Sequence, residues 1–200
     1  MGAILELNLA KKNITISYED DLLNEIWEDR PALSDAKAFL LDIKYSGEDF
    51  TSKIARVREW MRENNTTTHI LTSLDDIAWL FNIRGGDIKY NPVVLSYAVI
   101  TLDKAILFVD ENKLNDEIKT SFGEEVVEIK NYFEIYEFVK TINKEEIVLI
   151  DSNKISYSIL KNIPAGVKVV NGMNPSTKFK AQKNSVEIEN TKKAHIRDGV

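Results

Sequence analysis

The chain has 200 residues, 44% of them hydrophobic and 29% charged, with a formal net charge of −6. That supplies one packed domain with flanking segments, and basic residues scattered among acids exclude the basic face that a nucleic-acid partner needs. There is no cysteine, which excludes a disulfide framework and thiolate chemistry.

The opening Met1-Gly2-Ala3-Ile4-Leu5-Glu6-Leu7 has no basic stretch and meets Glu6 too soon for a signal peptide. No apolar run approaches the ~20 residues of a membrane helix, so no membrane and a cytoplasmic setting are the default expectations. Ile4, Leu5, Leu7 and Leu9 predict the end of a helix. Asn13-Ile14-Thr15-Ile16-Ser17-Tyr18 alternates like a short strand. Asp20 and Asp21 open a helix through Leu22, Leu23, Ile26 and Trp27 that Pro31 stops. Residues 32–49 show no sustained period and read as a connector.

Ile54, Val57, Trp60 and Met61 form an apolar stripe at helical spacing, ending near Asn64-Asn65. A β-branched strand is predicted over 67–71, followed by a helix from Leu74 with Ser73 as its cap and Asp75 and Asp76 in its first turn. Leu74, Ile77, Ala78, Trp79, Leu80 and Phe81 make that helix apolar nearly all round, hence deeply buried, and Arg84-Gly85-Gly86-Asp87 is expected to break it. Residues 93–101 are almost continuously apolar, as in a strand covered on both faces. Leu102-Asp103 turns them into a second strand, 104–109, which predicts a hairpin. A helix (112–122), a strand (126–129), a helix carrying Ile135, Phe138 and Val139 inward (133–142), a strand (147–150), a helix stopped by Pro164 (155–163) and a strand (167–170) follow. This alternation predicts an α/β fold, a mixed β-sheet with helices on both faces. Asn184 and Glu187 have capping-box spacing, and Glu189 and Lys193 form an i,i+4 pair, so a last helix starts at 184. Its apolar face (Val186, Ile188, Ile196, Val200) is thin for a helix that needs tertiary burial, and the chain reads as cut short there.

No active site assembles from these residues. The two histidines, His69 and His195, lack a ligand partner at i+4 and read as a strand-edge and a solvated-helix side chain. The adjacent acids Asp20-Asp21, Asp75-Asp76, Asp110-Glu111, Glu124-Glu125 and Glu145-Glu146 diverge by about 100° on a helix or face opposite ways on a strand, so capping and solvation explain them. Gly85-Gly86 lacks the spacing of a phosphate loop, and G-x-S-x-G is absent. Arg84 and Asp87 are delivered to one spot by a buried helix, where a local ion pair or turn contact is expected. Trp27, Trp60 and Trp79 are expected in the core.

Three segments carry a family resemblance. Leu74-Asp75-Asp76-Ile77-Ala78-Trp79-Leu80-Phe81-Asn82-Ile83-Arg84-Gly85 with Asn91-Pro92-Val93 resembles a stretch of the aminopeptidase P (Xaa-Pro aminopeptidase) family in its three-domain form. Ile26-Trp27-Glu28-Asp29-Arg30-Pro31 is similar to that family's connector out of its first domain. Lys192-Lys193-Ala194-His195-Ile196-Arg197-Asp198-Gly199 is similar to the helix that opens its catalytic domain. The resemblance implies a creatinase-type, ribonuclease-H-like middle domain. Residues 1–31 would be the tail of a preceding domain, 32–49 a connector, 50–183 the middle domain, and 184–200 the opening helix of a pita-bread catalytic domain.

The parent enzyme so implied removes the N-terminal residue of peptides with proline second. It uses two divalent metals, usually manganese, held by two Asp, one His and two Glu of the catalytic domain, none of them in this chain. His195 matches the helix-entry motif and inherits no catalytic role, so no catalytic residue, metal ligand or cofactor is expected here. The implied partners are the catalytic domain, a second subunit and, through the parent, the peptide substrate. Asn82, Ile83, Arg84 and Gly85 are expected at an inter-domain or subunit contact that helps control access to the cleft. The competing expectation is a protein-interaction module of a pita-bread protein without metal ligands.

Overall fold

The computed structural model describes residues 2–17, 22–123 and 126–199. Expectations on Tyr18, Asp20, Asp21, Glu124, Glu125 and Val200 lie outside the described residues. Six strands form the main sheet: β2 (Thr68–Leu71), β4 (Ser96–Thr101), β5 (Ala105–Val109), β6 (Glu128–Lys130), β7 (Ile147–Ile150) and β8 (Lys168–Asn171), in the order β6-β5-β4-β2-β7-β8. β4 is antiparallel to both β2 and β5, while the β5/β6, β2/β7 and β7/β8 pairs are parallel. The sheet is therefore mixed, and the predicted hairpin is the β4–β5 pair. A two-stranded ladder, β1 (Phe39–Leu40) with β3 (Ile83–Arg84), lies apart from it.

The near-continuous apolar runs follow from burial on both faces. In β5, Ala105, Leu107 and Val109 enter one core and Ile106 and Phe108 the other, the period-2 alternation of a strand. The first core is covered by α4 (Phe50–Glu63), α5 (Leu74–Leu80) and α6 (Asp116–Phe122), through Ile54, Val57, Met61, Ile77, Leu80, Ile118 and Phe122. Phe179 of α9 (Pro175–Ala181) packs against it. The second core is covered by α7 (Ile135–Phe138) and α8 (Tyr157–Asn162), with Ile135, Val139 and Ile159 fully buried. Asp49 starts α4 by accepting from Ser52 N at 2.8 Å, and Asn115 starts α6 by accepting from Ile118 N at 2.9 Å.

Several local expectations change. Residues 13–17 form no strand, and the helix expected through Trp27 is the single turn α2 (Leu23–Ile26). Trp27 is exposed, Trp60 half-buried and Trp79 buried, so the core expectation fails for Trp27. The segment 32–49 holds β1 and the short helix α3 (Ile43–Ser46), because pairing with β3 orders it from a distance. The helix expected over 133–142 is split into 3-10 turns on either side of α7. The last helix, α10 (Ser185–Asp198), forms its capping box, with Asn184 and Glu187 exchanging backbone bonds of 2.9 and 3.0 Å. It has a partner after all: Asn184 Nδ2 donates to Ser46 O at 2.8 Å and Asn190 Nδ2 to Lys44 O at 2.9 Å, tying it to α3.

Candidate functional site

The site grows from the end of α5. Phe81 caps the helix and Asn82 takes the left-handed conformation, φ 53°, one that asparagine tolerates better than most side chains. The expected stop at Gly85-Gly86 is therefore misplaced: the chain has already turned at Asn82 and entered β3. Gly85 is needed for another reason. A Cβ there would sit 2.7 Å from Val94 Cγ2 and 3.3 Å from Val93 O, so only glycine lets the two segments approach.

Asn82 is buried and fully engaged. Its Nδ2 donates to Glu48 O at 2.8 Å and Ser46 Oγ at 3.3 Å, while its Oδ1 accepts from Lys53 Nζ at 2.6 Å. Lys53 also donates to Trp79 O at 3.0 Å and lies 4.6 Å from the Trp79 ring centroid. Lys53 is only 1% exposed, and burial pulls its pKa down to about 8 against the more distant charges of Glu187 and Glu48. Ile83 is buried in the first core. Arg84 donates through Nη1 to Ala78 O and to Ile83 O at 3.0 Å, placing a cation at the negative end of α5. Burial lowers its pKa too, and the charge of Glu187 opposes that shift.

Arg84 and Asp87 do not pair, contrary to the sequence expectation. Asp87 Oδ2 instead accepts from Lys113 Nζ and from Leu95 N, both at 2.6 Å, and Lys113 and Asp87 are both buried. Arg84 instead lines an open groove of about 250 Å³ shared with Asp75, Trp79, Pro92, Lys180 and Glu187.

The histidines stay apart. His69 is not at a strand edge: β2 is central, the side chain is fully buried, and Nδ1 lies 3.2 Å from Leu149 O. Burial pulls its pKa down to about 4. His195 is exposed on α10. Asp76 is buried, where solvation had been expected. It accepts from Asn174 Nδ2 at 3.0 Å and Thr177 Oγ1 at 2.8 Å, with Lys180 Nζ at 3.2 Å. Burial pushes its pKa up, but these bonds and the lysine charge outweigh burial and hold it below the usual value. Sequence reasoning missed both this cluster and the buried Lys53. For Asp76 the signal was an acid inside an otherwise apolar stretch; for Lys53, among polar neighbours, it was only the i,i+4 spacing to Val57 that places it on the apolar face of α4. Among the described residues no three His, Asp or Glu side chains gather as a metal centre requires, so the residues present do not fit one.

A family model for the creatinase/prolidase N-terminal domain matches residues 29–187. The chain belongs to that family. Its relatives are Xaa-Pro aminopeptidases. The creatinase/prolidase N-terminal domain is 36% identical to a probable Xaa-Pro aminopeptidase P of Leptosphaeria maculans, covering 92% of this chain and 32% of that protein. Against the probable Xaa-Pro aminopeptidase P of Coprinopsis cinerea it is also 36% identical, covering 99% of this chain and 34% of that protein. The crystal structure of the X-prolyl aminopeptidase of Caenorhabditis elegans, described as a cytosolic enzyme with a di-nuclear active site, superposes with a TM-score of 0.91 at 27% identity. It covers 98% of this chain and 33% of that one. The domain thus spans about a third of the length of these relatives.

Proposed function

We propose that this domain is the non-catalytic middle part of an Xaa-Pro aminopeptidase, a parent enzyme that removes the N-terminal residue of peptides with proline second. The observation that carries this reading is the near-complete coverage of the chain by Xaa-Pro aminopeptidases about three times its length. In this reading residues 1–31 are the tail of a first domain, 32–49 a connector, 50–183 the middle domain, and 184–200 the helix leading into a catalytic domain that holds two divalent metals, manganese by preference. The setting is cytoplasmic, which the description of the nematode enzyme supports; no helix of the described residues is long and apolar enough to cross a membrane.

The domain's own part is packing against the catalytic domain or a second subunit, and so shaping the way to the cleft. The contact is the segment Asn82-Ile83-Arg84-Gly85, presented through Arg84, with Asn82, Ile83 and Gly85 buried behind it. The fixed Asn82 turn and the half-buried Arg84 at its rim support this, because a docking surface needs side chains held in one geometry. The test assays the purified domain and its full-length parent on an Xaa-Pro peptide with manganese. Activity is expected from the parent alone. Turnover by the pure domain would overturn the non-catalytic assignment, and an Arg84→Ala parent with unchanged assembly and cleavage would overturn the contact.

A further inference from the structure

We infer that Asn171 is a site of spontaneous deamidation in this chain, gated by the pairing of its own sheet-edge strand. The sequence contains one Asn-Gly pair, Asn171-Gly172. Glycine has no side chain to shield its backbone nitrogen, so at this pair the nitrogen can reach the asparagine amide. Loss of the Gly172 amide proton and attack of its nitrogen on Asn171 Cγ closes a five-membered succinimide and expels ammonia. Water then opens the ring. It yields aspartate, or isoaspartate with one extra backbone carbon where water adds to the other carbonyl. Nothing is oxidised or reduced: asparagine and water become an acid and ammonia.

The fold supplies both the access and the restraint. Asn171 is exposed at the end of β8, the outer strand, which among the described residues pairs with β7 alone. Its Oδ1 accepts from Ser152 N at 2.9 Å, a donor placed on the oxygen that gathers charge when Cγ is attacked. The attacking nitrogen, however, is occupied: Gly172 N donates to Ile150 O at 2.9 Å, just past the end of the β7–β8 ladder. Fraying of that one bond at the end of an edge strand releases the nitrogen while the rest of the domain stays folded. Asn184, followed by Ser185, is by contrast locked into its capping box. Three residues after Asn171, Asn174 Nδ2 bonds the buried Asp76, so an extra backbone carbon between ladder and cap loosens that cluster.

The test incubates the 200-residue chain at mildly alkaline pH and follows each asparagine by peptide mapping with mass spectrometry, scoring isoaspartate with an isoaspartyl methyltransferase. It is run in buffer, in urea below the unfolding transition and in urea above it, and repeated with Gly172→Ala. That variant is accommodated, because a Cβ at Gly172 meets Leu149 Cδ1 at an ordinary 3.4 Å. In the native chain Asn171 is expected to convert faster than any other asparagine, and about tenfold more slowly than in the unfolded chain, the protection of one backbone bond. Its rate is expected to stay level in urea below the transition, since fraying of one residue exposes little surface. Faster conversion of another asparagine in the native chain, or an unfolded Gly172→Ala that converts at Asn171 as fast as the unfolded wild type, overturns the site. A native rate equal to the unfolded one overturns the gate. So does a native rate about a thousandfold lower, or one that climbs steeply with urea below the transition, because global unfolding would then release the nitrogen.

Discussion

Replacing Lys53 with methionine tests whether the network at Asn82 holds a charge that the fold would rather lose. The side chain is 1% exposed, and its ammonium meets only the neutral acceptors Trp79 O and Asn82 Oδ1 and the Trp79 ring. Burial takes its pKa from 10.5 to about 8. One pH unit of displacement corresponds to about 1.4 kcal/mol, so carrying the proton at neutral pH costs the native state roughly 3 kcal/mol. Between the folded and unfolded values the unfolded chain binds more protons, so this group makes stability rise with pH from about 8 to 10.5. Lys53→Met removes the charge penalty but leaves two buried acceptors without their donor, at about 1–3 kcal/mol each. The two effects nearly cancel at pH 7. Urea denaturation of both proteins from pH 7 to 10.5 reads the difference between them, which cancels other groups titrating in that range. The wild type is expected to gain about 3 kcal/mol on the variant across the window. A difference that stays flat or shrinks would refute the argument that burial lowers the pKa of this amine and that the native state bears the cost of its charge at neutral pH.

Gly85→Ala forces a Cβ to 2.7 Å from Val94 Cγ2 and should lower stability by about 1–3 kcal/mol, read as a shift in thermal midpoint. Asp87→Asn leaves the buried Lys113 ammonium without its counter-charge and should cost about 3–5 kcal/mol in urea unfolding, only part of it regained in the Asp87→Leu/Lys113→Met double variant, which still leaves Leu95 N without its acceptor. His69, with its pKa pulled from 6.5 to about 4, is neutral in the native state, so its share of stability is lost as pH falls from 6.5 towards 4. A ring-proton titration by NMR should place its midpoint near 4, and a midpoint near 6.5 would contradict the burial argument.

What could be read from the sequence was whatever local spacing determines. The capping box at Asn184 and Glu187 formed as read because both its bonds close within three residues. The central strands were legible because burial on two faces leaves almost no polar residue in β5. What escaped was set by distant partners. β1 and β3 are two residues each, too short to show a period, and exist only through their mutual pairing. Asp87 chose Lys113, 26 positions away, over Arg84, three positions away, because the lysine is brought to it by the loop before α6. The helix stop was misread because a glycine pair is the stronger textual signal, whereas Asn82 could take the left-handed turn while its amide bonded Lys53, Glu48 and Ser46. The same residue therefore ends the helix and anchors the site.

That double duty commits the polar atoms of the cluster to partners inside the domain. A general acid or base must exchange a proton with something outside the protein, so one of its polar atoms has to face the ligand. Lys53 and Asn82 instead spend their polar atoms on fixed internal partners beneath the surface. His69 is sealed in the central strand, with a carbonyl at one ring nitrogen and no access to the other. Arg84 is held by two backbone carbonyls and has further donors, and a guanidinium stays protonated throughout the physiological range. It can grip an anion but cannot relay a proton. Held by the carbonyls of Ala78 and Ile83, that permanent cation sits at the negative end of α5.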